Sequence, residues 1–288
     1  MIAGPAATLP GPPLESTIRV QPRRHPARIV GGLSLLLVLL AILRSVVANP
    51  NFQWQVVGEY LFAGIILQGL ATTLALTGCT MLIGIAGGTV LALMRQADNP
   101  ITASFASAYI WLFRGTPLLV QLLFWYNLAA LYPVYRFGIP WLAPDLWHGS
   151  VNDLITPYSA AILGLGLNEA AYMAEIVRAG IGSVDRGQTE AAMAIGMHGT
   201  QIMRRIVLPQ AMRVILPPTG NQLIGTLKTT SLVSVISLSD LLYSAQTIYS
   251  RTFQTVPLLI VACFWYLTAT TLLSGGQTLL ERAMSRRS

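Results

Sequence analysis

Ionisable side chains stand in this chain where they are rarely found. Glu169, Glu175 and Arg178 lie in the run 157–180 and Lys228 in the run 214–237, both otherwise apolar. An ionisable group at bilayer depth costs at least ~2.5 kcal/mol on insertion scales, so it faces a partner or a water-filled cavity. Counted along their segments, Glu169 and Lys228 reach a similar mid-depth. They could neutralise each other, as could Glu175 and Lys228, or they could face a cavity and hold the opposite charges of a solute. Glu175 and Arg178 are three residues apart, a spacing that predicts a local pair on one helix face. Arg114 precedes Gly115-Thr116-Pro117, which reads as a cap and first-turn proline opening a helix, and a structural role at that break is expected.

A second stretch, TEAAMAIGMHGTQIMRRIVLPQ (189–210), places charge and small residues between two apolar segments. Thr189 is expected as an N-cap, with Glu190 in the first turn where the helix dipole favours negative charge and Gly196 as the stop. A further helical piece is expected from Thr200 to Leu208, ending at Pro209 because proline cannot continue the ladder. Ala191 and Ala192 beside one acidic residue predict a flat face that fits a groove on another protein. An ordinary interfacial helix between spans is the alternative.

Signatures of catalysis are missing. The histidines, His25, His148 and His198, fall outside the apolar runs, and no HExxH or GxSxG occurs. Neither catalytic nor metal-binding residues are assigned. Cys79 and Cys263 sit in apolar runs, where packing as small hydrophobes is expected. No phosphate-cradling Walker A loop occurs, so ATP and Mg would not be bound by this chain.

The elements that position these residues follow from composition. Of 288 residues, 53% are hydrophobic and 10% charged, a balance foreign to soluble domains. Several uncharged runs reach the roughly 20 residues a helix needs to cross a bilayer. The reading is all-α: a polytopic helical membrane protein with six spans near 29–48, 61–94, 110–132, 157–180, 214–237 and 256–280. The second run is read as one long or tilted span, and its glycines and alanines permit close helix approach in lipid.

The net charge of +7 reflects topology and not a nucleic-acid partner. With the N-terminus inside, thirteen arginines fall on the cytoplasmic side and three outside, a positive-inside bias. This puts the 189–210 stretch and both termini in the cytoplasm. The first 28 residues, rich in proline and arginine, read as a disordered cytoplasmic tail and not a cleavable signal. The loops 49–60 and 132–153 carry Tyr and Trp expected to anchor at the outer interface.

The segment EAAMAIG, followed ten residues on by IVLPQA, resembles the coupling (EAA) loop of ABC-transporter permeases. Glu190, Ala191, Ala192, Gly196, Ile206, Leu208 and Pro209 occupy the pattern's positions. FRGTPLLVQLLFWY (113–126), AAYMAEIVRAGIGSVDRGQTEAA (170–192) and LIGTLKTTSLVSVISLSDLL (223–242) are similar to the polar amino acid uptake permeases, importers of the histidine, glutamine, arginine and glutamate type. Asn168-Glu169 and Lys228-Thr229-Thr230 depart from what many members carry there.

The resemblance covers about 61–282. It implies a type I importer permease in a bacterial inner membrane, with an extra first helix at 29–48 and a coupling loop near 183–210. The implied partners are a cytoplasmic ABC ATPase dimer holding ATP and Mg, a second permease chain, an external solute-binding protein and an amino acid substrate. Glu169 would meet the substrate's ammonium or cationic side chain and Lys228 its carboxylate, with Asn168, Tyr172 and Arg114 nearby. Glu190, Ala191, Ala192, Gly196, Leu208 and Pro209 would couple to the ATPase. A secondary transporter driven by an ion gradient, or a membrane enzyme, is the alternative.

Overall fold

A computed structural model describes residues 26–139 and 143–285. The tail expected at 1–28 lies almost wholly outside them. The chain divides into two compact units at Phe52/Gln53. The first unit holds α1 (Pro26–Ala48) and a single 3₁₀ turn, Pro50–Phe52. Its stretch Val30–Ala48 is long and apolar enough to cross a membrane.

The second unit opens with α2 (Trp54–Tyr60) and α3 (Gly64–Arg95). At 32 residues α3 is the single long span expected, about 48 Å at 1.5 Å per residue. It turns into α4 (Pro100–Gly115), which begins where helix chemistry dictates: Asn99 accepts from the Ile101 amide at 2.9 Å and Pro100 takes the first position. The span expected at 110–132 is therefore not one helix. The helix starts ten residues earlier, ends at Gly115, and resumes as α5 (Leu118–Tyr126) and α6 (Leu128–Leu131).

Pro117 explains the break, since it lacks an N–H and its ring excludes the carbonyl four residues back. That carbonyl, of Phe113, receives Gln121 Nε2 at 2.9 Å and Asn168 Nδ2 at 2.8 Å instead. Gln121 Nε2 also donates to the Thr116 carbonyl and hydroxyl at 3.1 and 2.7 Å. The backbone groups freed by the break are thus satisfied by side chains, as a low-dielectric surrounding requires.

The loop that follows is an antiparallel hairpin, β1 (Val134–Ile139) and β2 (Ala143–Ser150), closed by α7 (Val151–Leu154). The hairpin is a departure from the all-helical reading of the sequence. Next come α8 (Pro157–Gly182), α9 (Arg186–Ala194), α10 (Gly199–Ile202), a π-helical turn (Met203–Val207) and α11 (Leu208–Thr229). A 3₁₀ segment (Thr230–Ile236), α12 (Leu241–Thr252) and α13 (Thr255–Ser285) complete the chain. The bundle thus has a hairpin end and an α9 end.

The centre is α8 against α3. Gly88 makes this approach possible: a Cβ there would stand 2.8 Å from the Ala174 amide and 2.9 Å from the Ala170 carbonyl. Small residues let backbones meet where lipid removes the hydrophobic drive between helices. Among the apolar clusters of the unit are Leu122 and Leu165 with Ile236 beneath α5, Leu241 and Leu258 with Ile66 beneath α12, and Met173 and Val177 with Ile215 at the α8–α11 seam. Cys79 and Cys263, expected to pack as small hydrophobes, are free thiols on exposed faces of α3 and α13.

Candidate functional site

The mid-depth carboxylate comes from α8, whose start is fixed by a capping box: Thr156 Oγ1 accepts from the Ser159 amide at 3.2 Å, and Ser159 Oγ from the Thr156 amide at 2.8 Å. Thirteen residues on, Glu169 sits halfway down the 26-residue helix, only 4% exposed. Its methylenes lie over Gly84 of α3. Its Oε2 accepts from Gln222 Nε2 and Thr226 Oγ1 of α11, both at 3.0 Å. Its Oε1 is buried without a hydrogen-bond partner among the described residues.

Lys228 lies in the last turn of α11 with its side chain exposed. Among the described residues it forms no ion pair with Glu169 or Glu175, so neither structural pairing open to the sequence is made. The reason is angular: Gln222 and Thr226 share one face of α11, and Lys228 is two residues, some 200°, away from Thr226.

Two other expected site residues, Asn168 and Tyr172, share the adjoining face of α8 with Glu175, since positions four and three apart line up, and the third, Arg114, reaches that face from the end of α4. Asn168, 9% exposed, spends its amide on Phe113 and on Gln121 Oε1 at 3.2 Å, which makes it a tie to the α4–α5 break. Tyr172 lies beneath the Arg114 guanidinium, 5.4 Å from ring centroid to carbon, within cation–π range. Arg114 also comes within 3.7 Å of Glu175. Glu175 pairs with Arg178 as the spacing predicts, Oε2 accepting at 3.0 and 2.8 Å. It pairs as well with Arg95 from the end of α3. Sequence offers no sign of that last contact, because the residues are 80 positions apart.

At the α9 end the expected boundaries shift. Thr189 is not the cap: α9 begins one turn earlier, with Asp185 accepting from the Gly187 amide at 2.7 Å. Glu190 therefore sits mid-helix. Gly196 is the stop, at φ +82°. The Gly196 amide donates to the Met193 carbonyl at 2.9 Å and the Met197 amide to Ala192 at 3.1 Å, the paired bonds of a Schellman motif. Ala191 and Ala192 do not form one face. Ala192, 3% exposed, is buried with Ile202 and Val207, while Ala191 and Glu190 stay outside with Met193 (58%) and Ile195 (78%).

Pro209 does not end a helix as expected. The π turn before it carries the Leu208 amide back five residues to Met203, and the widened turn admits proline at the second position of α11. Leu208 and Pro209 are both exposed. Between α9 and α10 lies a cavity of about 360 Å³ bordered by Thr189, Met193 and Met203.

A bundle of apolar helices, a small-residue helix–helix centre and a capped polar helix displayed at one end define a multi-pass membrane permease. The chain belongs to the family described as the binding-protein-dependent transport system inner membrane component, whose model matches residues 84–286. It is similar to the arginine transport system permease protein ArgU of Corynebacterium glutamicum, 44% identical over 287 residues, 99% of this chain and 88% of that protein. It is also 38% identical over 222 residues to a glutamate/aspartate import permease, GltK, of Escherichia coli, covering 77% of this chain and 92% of that one. Among solved structures, an amino acid ABC transporter chain matches with a TM-score of 0.66 at 36% identity, over 78% of this chain and 97% of its own. A MetNI methionine transporter chain, TM-score 0.62 at 17% identity over 77% of this chain and 97% of that one, shares the fold.

Proposed function

We infer that the chain is the permease subunit of an ATP-driven amino acid importer, and that its cargo is a cationic amino acid of the arginine kind. The observation that carries the class is the displayed helix α9, whose exposed Glu190, Ala191, Met193 and Ile195 stand on a frame locked by Gly196. The 44% likeness to an arginine permease, almost end to end, favours the cargo. The partners are a cytoplasmic ABC ATPase dimer that binds ATP and Mg, a second permease chain and an external solute-binding protein. Positive charge gathered at the α9 end, with Arg178, Arg186, Arg204, Arg205 and Arg213, supports a cytoplasmic placing of that end and of both termini. The domain limits that fit are an extra helix at 29–48, a permease domain at 61–282 and a coupling loop near 183–210.

Import then proceeds by rocking between two arrangements whose balance ATP binding and release shifts. Lys228, exposed and unpaired with either glutamate, is available to a substrate carboxylate, and Arg114 stands over Tyr172 on another face of α8. Glu169 is covered by α11 in this arrangement. Its free Oε1 suits a cationic partner that enters when α11 shifts from α8.

The test is the purified chain with its ATPase in liposomes. Hydrolysis stimulated by L-arginine and the solute-binding protein is the expected result. Uptake driven by an ion gradient through the chain alone would instead establish a secondary transporter.

A further inference from the structure

The function just proposed leaves one carboxylate unused, that of Glu175. This carboxylate is held by Arg178 of its own helix and by Arg95 at the end of α3, with Arg114 at the end of α4 3.7 Å away. One negative charge thus faces three guanidiniums from three helices. Among the described residues no second carboxylate pairs with any of the three.

The cluster lies on a short mechanical path. Only Ser183–Asp185 separate α8 from α9. Ile181 and Val184, at that junction, pack both against the α8–α11 cluster of Met173 and Val177 and against the α9 cluster of Ala192 and Ile202. A shift of α9 therefore reaches the base of α8 through continuous packing. Glu175 stands six residues above Ile181, less than two turns away.

We propose that Glu175 is a positioning residue for transport, a clasp that makes α3 and α4 move with α8 when α9 is displaced. Helices in lipid lack a hydrophobic drive to stay together, so polar contacts decide which of them move as one body. Removing the carboxylate does more than loosen the clasp, because the guanidiniums left behind repel one another. The clasp rests on the reading of α9 as the ATPase contact, and the experiment separates the two.

The complete complex of permease, ATPase and solute-binding protein is reconstituted in liposomes with a radiolabelled mixture of the twenty amino acids. Uptake and phosphate release are counted together. Glu175→Gln is expected to keep half or more of the hydrolysis while amino acid imported per ATP falls tenfold or more. Arg95→Gln should behave alike, and Glu175→Asp should stay within threefold of the native ratio. An unchanged ratio in Glu175→Gln, or uptake and hydrolysis that decline together in a complex of native thermal stability, overturns the clasp. If Glu175→Gln yields no folded complex, Arg95→Gln and Glu175→Asp decide by the same ratio. Failure of the ATPase to co-purify with the native chain would instead defeat the coupling reading.

Discussion

At the scale of single residues, two buried carboxyls are held by different means and predict different behaviour. Glu169 has one oxygen satisfied by Gln222 and Thr226 and one orphaned. Glu169→Gln should preserve the fold, since an amide keeps an acceptor for either donor, and should lower uptake of a cationic substrate about tenfold, equivalent to about 1.4 kcal/mol of lost interaction. Exchanging the charges, Glu169→Lys with Lys228→Glu, should not restore uptake, because the two side chains are not each other's partners. Transport measured in proteoliposomes checks both.

Asp240, between the fifth and sixth expected spans, caps α12 by accepting from the Tyr243 amide at 2.8 Å and the Leu242 amide at 3.3 Å, and it also accepts from the Tyr266 hydroxyl. Burial pushes its carboxyl up to about 6. A folded-state value above the unfolded one, 3.8, means the folded protein holds this proton more tightly. The stability contributed is complete below pH ~4 and lost as pH rises through ~6, on the order of 2–3 kcal/mol. Asp240→Asn should keep the cap and flatten that dependence, whereas Asp240→Ala should flatten it too and lie about 1 kcal/mol below Asp240→Asn at every pH. Unfolding in detergent across pH 4 to 8 distinguishes them.

At the scale of elements, α9 depends on its ends. Gly196 has open space about it, so a side chain there would clash with nothing, but φ +82° is strained for any β-branched residue. Gly196→Val should unwind the Schellman turn, weaken ATPase association and uncouple hydrolysis from uptake. Gly196→Asn, which tolerates that conformation, should stay near native. Coupled assays on the reconstituted complex give the answer. The stop was legible in the sequence because glycine announces it. The start was not, because Asp185, Thr189 and Glu190 offer competing signals and the tertiary seating of Ala192 chooses among them.

Chemistry also explains which spans could be read. An uncharged run such as 61–94 admits one solution, a long helix. The stretch 100–132 mixes an arginine, a glycine and a proline, and its break is held by Gln121 and Asn168 from 55 residues along the chain, a partnership that no local pattern encodes. The hairpin at 134–150 escaped for a similar reason, since its aromatic residues serve equally as interface anchors. The 189–210 segment was legible as a pattern, but burial of Ala192 and exposure of Met193 and Ile195 depend on how α9 seats against α10.

At the scale of the whole molecule, the second unit should stand without the first. Residues 53–288 contain each of the apolar clusters and the seam of α3 with α8. The similar amino acid transporter chain spans 97% of its own length on 78% of this one, which marks the bundle as a fold in its own right. Orientation should survive too. Once 1–52 are removed, the leading long helix is α3, with Glu59 as the charge before it and Arg95 at its far end, so the positive-inside bias still directs that end to the cytoplasm. A chain beginning at Gln53 should therefore assemble with the ATPase and keep uptake within about twofold, as expected of an independently folding unit. Co-purification and proteoliposome transport measure this. A folded, correctly oriented but inactive truncation would assign the first helix a part in transport that the bundle does not supply.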